Sequence, residues 1–156
     1  MLFTKRVAKK LLDLIFSYTE TTMESLNLSA SDDVSRAYFY GWYYFSLLSF
    51  GVNEKVINHV FTLMVDYIRS LSSQDSISHL RSQTLEYTLR KTVTHFFDIW
   101  PTPPKSADDF LVKFIPEACA HVQSRLKFTA RTDYEEVLSV LIEHLNSFVQ
   151  EIKAYR

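Results

Sequence analysis

The amino-acid sequence predicts an all-α fold, a single domain in which about six helices form an irregular bundle around an aromatic-rich second helix. Glycine and proline are scarce, at two and four residues, so the chain has few of the residues that hairpins need at their turns. Apolar residues recur every three to four positions through long segments, which is the period of a helix with one buried face. A chain of 156 residues has the usual size of one domain. We therefore expect one helical domain over residues 1–156.

The first segment, residues 3–25, is predicted to be an amphipathic helix. On a helical wheel its apolar residues fall on one arc and its cations on the other. The apolar arc holds Phe3, Val7, Leu11, Leu14, Ile15 and Tyr18, and the polar arc holds Lys5, Arg6, Lys9 and Lys10. A solvated basic face is favoured over a helix that lies on a membrane surface, because such faces are common in soluble proteins.

The second helix is predicted over residues 32–50. Ser29 and Asp32 have the spacing of a helix cap, and Gly51 is a natural stop. Residues 38–45 are aromatic at every position but one. Because these rings point in all directions around the helix, we expect that no face of it is solvated.

Two features of this helix could mark a functional surface. Ala37 and Gly41 lie one turn apart and predict a groove in which another helix or a ligand comes unusually close. Four of the nine tyrosines are in this segment, and tyrosine is favoured at interfaces and around ligand pockets. A central core helix is favoured over an interface, and an interface over a pocket. The candidate interface or pocket residues are Tyr38, Tyr40, Gly41, Trp42, Tyr43, Tyr44, Phe45 and Trp100.

Asn53 predicts the start of a third helix, and a fourth is predicted over residues 77–99. The fourth helix has a clear apolar stripe and, off that stripe, three further large apolar residues. The stripe is Leu85, Leu89, Val93, Phe96 and Trp100, and the three others are Leu80, Tyr87 and Phe97. We therefore expect a second face of this helix to be covered as well. The prolines at 101, 103 and 104 end the helix and predict a hinge at residues 101–105.

The last two helices are predicted from capping residues and apolar spacing. Ser106 caps the fifth helix, which Pro116 should kink or divide in two. Thr132 and Glu135 form a capping box for the sixth, whose apolar residues have the spacing of a coiled-coil seam. The candidate dimer-seam residues are Tyr134, Leu138, Leu141, Leu145, Phe148 and Ile152. Packing inside one chain is favoured over a dimer seam, because any long helix on a bundle shows this stripe.

No pattern of residues indicates catalysis, a metal or a cofactor. The sequence has no P-loop, no G-x-G-x-x-G, no G-x-S-x-G and no C-x-x-C motif. Glu117 with His121, and His95 with Asp98, are expected to be surface hydrogen-bonded pairs, because neither pair repeats as a di-iron bundle requires. Cys119 is the single cysteine and is expected to be a buried, unreactive thiol. An enzyme is therefore not predicted.

The charge of the chain argues against nucleic acid as a partner. Net charge is −1, and Arg36 is the only cation between Lys10 and Lys55. The aromatic helix therefore lacks the cations that accompany base-stacking surfaces. The longest uncharged stretch, residues 37–53, is shorter than the ~20 residues of a membrane span, and we expect a cytoplasmic location.

The leading functional hypothesis is a non-enzymatic protein-interaction or regulatory domain, of the adaptor, regulatory-subunit or inhibitor and immunity type. Its partner would be another protein or a second copy of the chain, as in a homodimer. The aromatic second helix and the stripe of the sixth support it. The alternative is a helical domain that binds a small apolar ligand in a pocket beside the second helix, near Gly41. Membrane association through the basic face of the first helix is a third, disfavoured hypothesis.

Overall fold

The computed structural model describes residues 2–73, 75–128 and 130–156, apart from the side chains of residues 107, 131 and 132. In that part of the chain the fold is all-α and has no strand, so the predicted fold class is confirmed. The helices are α1 (Leu2–Ser25), α2 (Asp33–Ser49), α3 (Glu54–Ser70), α4 (Ser76–Ile99), α5 (Ala107–Leu126) and α6 (Arg131–Ile152). Short 3₁₀ turns follow α3 at Leu71–Ser73 and α6 at Lys153–Tyr155. Within the described ranges, none of these helices has an apolar stretch that could span a bilayer.

Local side-chain caps set the starts of four helices. The side chain of Asp32 accepts a hydrogen bond from the backbone N–H of Ser35 at the start of α2. Equivalent bonds begin α3, α4 and α5, where the acceptor side chains are those of Asn53, Asp75 and Ser106. Each bond satisfies a backbone N–H that has no partner inside its helix. After α2, Gly51 has a φ of 83°, a left-handed conformation that glycine adopts without steric cost.

The structure bears on two predictions about the last helices. For the fifth helix, a kink or a division in two is expected at Pro116, and the division is wrong because α5 runs continuously through this residue. Val112, whose carbonyl loses its helical partner to this proline, is 72% exposed. The sixth helix begins at Arg131 with Ala130 at its N-cap, so the predicted capping box does not start it. The side chain of Thr132 lies outside the described part of the chain.

The second helix, α2, is the centre of the bundle. It packs against α1, α3, α4, α5 and α6. Every residue from 35 to 47 is buried, and the rings of Phe39, Trp42, Tyr43 and Phe45 are fully so. The expectation that no face of this helix is solvated is confirmed. The cause of this burial is visible in the sequence, because large apolar rings surround the helix and each ring is more stable away from water.

The fourth helix, α4, is covered on one side only. Its buried residues are Ser82, Leu85, Leu89, Thr92 and Phe96. Off this stripe, Leu80 is 63% exposed, Tyr87 is 67% exposed and Phe97 is 39% exposed. The expectation that a second face of α4 is covered is therefore wrong, because no other described part of the same chain covers these side chains. The reason is the layout of the bundle, in which α4 packs against α2 and α3 on its buried side.

The connection between α4 and α5 contacts the core at both ends. The ring centroid of Trp100 lies 4.3 Å from that of Phe114, and Pro104 is buried. Between them, Pro101 and Thr102 are exposed. The hinge at residues 101–105 stays a prediction.

Candidate functional site

The aromatic candidate residues of α2 lie in the core of the chain. Trp42, Tyr43 and Phe45 are 0% exposed, and Tyr38, Tyr40 and Tyr44 are between 5% and 9% exposed. The indole Nε1 of Trp42 donates a hydrogen bond to the Phe114 carbonyl at 3.3 Å. The ring of Trp42 also makes edge contacts with Phe39 and Tyr43. Side chains of the same chain therefore occupy the space beside Trp42.

The buried tyrosine hydroxyls are satisfied unevenly. The hydroxyls of Tyr43 and Thr22 are 2.6 Å apart and hydrogen-bonded. The Tyr38 hydroxyl, in contrast, has no hydrogen-bond partner among the described residues. Burial raises the pKa of Tyr38 well above its ordinary value, so the hydroxyl stays protonated. Buried hydroxyls usually have a hydrogen-bond partner, which is true of Tyr43 and, within the described residues, not of Tyr38.

The close neighbour predicted at Ala37 and Gly41 is α4 of the same chain. A Cβ placed on Gly41 would lie 2.9 Å from Thr92 Cγ2 and 3.5 Å from Val93 Cγ2. Carbon atoms do not normally approach each other more closely than about 3.5 Å. The absence of a side chain at Gly41 therefore permits the packing of α2 on α4 and leaves no groove for a ligand there.

Most of the candidate dimer seam on α6 also faces the core. Leu141, Leu145, Phe148 and Ile152 are at most 1% exposed, Leu138 is partly buried and Tyr134 is 37% exposed. The ring of Phe148 packs 4.7 Å from that of Tyr43 and 5.3 Å from that of Tyr18. A seam through the four buried residues would require α6 to leave the core.

The structure also brings together a set of charged and polar residues that sequence reasoning did not connect. We call it the polar cluster, and it lies at the N-terminal end of α2. Its members are Glu20, Asp32, Asp33, Ser35, Arg36, Arg81, His121 and Arg125. They come from α1, α2 and its cap, α4 and α5, so the polar cluster links four segments of the bundle.

Arg36 is the most buried cation of the polar cluster, at 8% exposed. Its guanidinium donates to Asp33 Oδ1 at 2.6 Å, to both Glu20 carboxylate oxygens, and to the Ala30 carbonyl at 2.8 Å. The hydrogen bond with Glu20 is the main cause of its raised pKa. Burial alone would raise the pKa of Asp33, but hydrogen bonds from Arg81 and Arg36 outweigh burial and lower it. Both charges are therefore retained in the fold.

Ser35, His121 and Asp32 invite comparison with a catalytic triad. Ser35 Oγ lies 2.9 Å from His121 Nε2 and 2.6 Å from Asp32 Oδ2. Burial raises the pKa of Asp32, but hydrogen bonds from Arg125 and Ser35 outweigh burial and lower it. The ionised carboxylate can only accept, so Ser35 donates its proton to Asp32 and His121 Nε2 donates to Ser35. His121 is then not a base toward Ser35, which is itself 0% exposed. The contacts position Ser35 without activating it.

We expect the protein to lose stability as the pH falls below the ordinary pKa of histidine. Burial, with a smaller effect of Arg125 and against the effect of Asp32, lowers the pKa of His121 from 6.5 to about 4. Between pH 6.5 and about pH 4 the unfolded chain binds a proton at this position and the folded chain does not. The free energy of unfolding therefore decreases as the pH decreases. At about 1.4 kcal/mol for each pH unit, the loss at pH 5 is about 2 kcal/mol. Urea unfolding near pH 7 and near pH 5 measures it.

Two variants separate His121 from other causes of acid sensitivity. His121→Gln keeps an amide that can donate to Ser35 but does not titrate, so it should lose most of this dependence. His79→Gln alters an exposed histidine of α4 and should keep it. An equal pH dependence in the wild type and in His121→Gln would contradict the assignment.

The remaining candidates for chemistry do not form a site. Glu117 does not pair with His121, since its Oε2 lies 3.4 Å from His95 Nε2 on α4. Cys119 is 1% exposed, and burial raises the pKa of its thiol to about 11, so a thiolate is disfavoured. In the part of the chain that the structure describes, no group of three or more His, Cys, Asp or Glu residues could hold a metal ion.

None of five surface clefts formed by the described residues is lined by Trp100 or by any of the seven candidate residues on α2. The pocket that the alternative hypothesis requires beside α2 therefore has no observation in its favour. Comparison with known proteins gives no match, because no family model fits the chain and neither a curated protein nor a solved structure is significantly similar to it. A proposal about the function of this chain therefore has to be argued from its own geometry.

Proposed function

We propose that the chain is a non-enzymatic protein-interaction or regulatory domain, of the adaptor, regulatory-subunit or inhibitor type, which binds a protein through the outward face of α4. The observation that supports this is the exposure of three large apolar side chains on that face. Ile77 is 74% exposed, Leu80 is 63% exposed and Tyr87 is 67% exposed. The domain works in the cytoplasm, where a single free thiol such as Cys119 is ordinary.

The three side chains form one surface because of their spacing. Positions 77, 80 and 87, with the half-buried Thr84 between them, follow the three-and-four spacing of one helical face. This face is roughly opposite the buried stripe of Leu85 and Leu89. We call it the α4 face and define it by Ile77, Leu80, Thr84 and Tyr87.

The concentration of apolar residues on the α4 face is what distinguishes it. By comparison, Val112 on α5 is 72% exposed and Ile142 on α6 is 37% exposed, and each is a single side chain of the kind that folded proteins commonly leave in water. Leu2 and Phe3, at 69% and 78% exposed, are a pair of neighbours at the start of α1. Three on one face form a patch, which monomeric proteins tend to cover. The Lys91 ammonium lies 5.8 Å from the centroid of the Tyr87 ring, so the patch has a cationic edge.

A second copy of the chain is the first partner to test. Apolar residues at three-and-four spacing suit the packing of two helices against each other, and a two-fold axis would place one α4 face on the other. Tyrosine with a cation at the edge is typical of interface centres and rims. The surrounding surface of α4 has to supply the rest of the roughly 1,000 Å² or more that a stable interface buries.

Sedimentation equilibrium over a range of protein concentrations tests the homodimer. We expect reversible dimers for the wild type and at least a tenfold weaker association for Leu80→Glu, because a buried, unpaired carboxylate costs more than 1.4 kcal/mol. Val112→Glu is the matched control, since it makes the same chemical change at an equally exposed apolar residue and should leave association unchanged. A wild type that stays monomeric at roughly 100 μM, well above typical micromolar affinities, would reject the homodimer.

Site-specific photocrosslinking in the cells that make the protein tests a heterologous partner. A benzoylphenylalanine at position 80 should give a discrete crosslinked protein, and the same residue at position 112 should not. Tyr87→Ser in the same chain should weaken the adduct at position 80. Two results together would overturn the proposal. The wild type would have to be monomeric, and crosslinking would have to be equal at positions 80 and 112 or absent from both.

A further inference from the structure

A cleft at one end of the bundle combines an apolar wall with unpaired cations. It lies between the first turns of α1, the start of α3 and the segment that follows α6, and its volume is about 530 Å³. This is within the usual range of about 300 to 1,000 Å³ for small-molecule sites. Phe3, Val7, Val56 and Tyr155 supply its apolar lining. We call it the basic cleft.

The charged side chains that line the basic cleft are all cationic. Lys10, Lys55 and Arg156 line it, and none of its described lining residues has a carboxylate side chain. No ion pair joins any of these three side chains to a carboxylate in the described residues. The arginines of the polar cluster behave differently, since Arg36 and Arg125 both bind carboxylates. The basic cleft thus has cations free to bind an external anion.

The apolar part of the basic cleft is accessible to a ligand. Phe3 is 78% exposed and Tyr155 is partly buried at the far side. An adjoining cleft shares Thr4 and Lys55 and adds Asn58, His59 and Thr62, again with no carboxylate side chain among its described lining residues. Apolar surface next to cations is complementary to a molecule that has an apolar chain and an anionic head group.

We propose that the basic cleft binds an anionic amphiphile, a single-chain carboxylate or phosphate, with its head group at Lys10 and Lys55 and its chain along Phe3, Val7 and Val56. The site is independent of the α4 face and of the pocket hypothesis beside α2. Arg156 also lines the basic cleft and supplies a third cation.

A free amphiphile is favoured over the surface of a bilayer because of how α1 packs. The apolar face of α1 is not available to lipid, since Ala8, Leu11 and Ile15 are 0% exposed in the core. Within the described range Leu2–Ser25 of α1, the exposed large apolar residues are Leu2 and Phe3. A helix that lies in a membrane interface needs a continuous apolar face.

Titration with dodecanoate below its micelle concentration, followed by ¹H–¹⁵N spectra of the full chain, tests the proposal. We expect saturable shifts concentrated at Val7, Lys55 and Val56. Dodecyltrimethylammonium has the same chain with the opposite charge, and acetate has the head group without the chain. Both should bind at least tenfold more weakly, because each lacks one half of the complementarity.

Variants then test the named residues. Lys55→Gln should weaken dodecanoate binding about tenfold, the usual effect of losing a charge-assisted contact, and Phe3→Ser should weaken it several-fold. Both side chains are exposed, so the fold should persist. Lys113→Gln removes an exposed cation of α5 and should change nothing. Shifts spread over the whole chain, equal binding of the cationic amphiphile, or binding to phosphatidylserine vesicles without binding to monomeric dodecanoate would each overturn the proposal.

Discussion

Replacing Arg36 by alanine is expected to lower the free energy of unfolding by about 3 kcal/mol, the low end of the cost of breaking a buried ion pair. The guanidinium joins α1 to α2 through Glu20 and binds Asp33, which is itself buried. Its removal leaves the Ala30 carbonyl without this donor and leaves Asp33 with Arg81 alone. Urea denaturation with a two-state fit measures the change.

Two further variants identify which property of Arg36 matters. Arg36→Lys keeps the charge but cannot make the paired bonds to Glu20, so its stability should lie between the wild type and Arg36→Ala. Arg69→Ala is the matched surface control. Arg69 makes a similar paired contact to Glu86, but its side chain is 60% exposed, and pairs of that kind contribute little. A loss for Arg36→Ala no larger than for Arg69→Ala would contradict the expectation.

Replacing Gly41 by leucine is expected to cost about 3 kcal/mol, because α4 occupies the space that the new side chain needs. Even the Cβ would lie 2.9 Å from Thr92 Cγ2 and 3.3 Å from Thr92 Cβ. Thr92 is β-branched and stiff at χ1, so it cannot rotate away at low cost. Leucine is otherwise the better helix former, and a loss of stability would therefore come from the collision alone. Thermal and urea unfolding both measure it.

A double-mutant cycle shows whether the collision is with α4. Gly41→Ala should destabilise the wild type, whereas in a Thr92→Ala background the same change should be less costly or even stabilising. The coupling between the two positions should be about 1 kcal/mol, in the range found for residues in contact. Additive effects of the two substitutions would mean that the neighbour of Gly41 is something other than Thr92.

The starts of α2, α3 and α5 and the burial of α2 could be read from the sequence because their causes are local. Asp32, Asn53 and Ser106 each cap the helix that follows within three residues. The rings of residues 38–45 surround α2 whatever lies next to it, so its burial does not depend on which helices cover it. Pro116 shows the limit of this reasoning. A proline inside a helix is costly on local grounds, yet α5 continues through Pro116, and Val112 one turn earlier is exposed.

The candidate site could be predicted only in part, because the relevant contacts join residues far apart in the chain. Asp33 binds Arg81 across 48 positions, and Asp32 binds Arg125 across 93. One signal was present, since Arg36 is the lone cation of an aromatic helix whose other charges are Asp32 and Asp33 at its start. A charge in that position has to find a buried partner. The sequence does not say which carboxylate that is.

The sequence by itself determined an all-α chain, the starts of α2, α3 and α5, and a second helix with no solvated face, because periodicity, caps and ring placement act within a few residues. Tertiary structure alone decided which neighbour fills each contact. It placed α4 against Gly41, turned the stripe of α6 toward Tyr43, and left the α4 face and the basic cleft open. A stripe shows that a helix has an apolar face, but only the packing of the whole chain determines whether the chain itself covers that face.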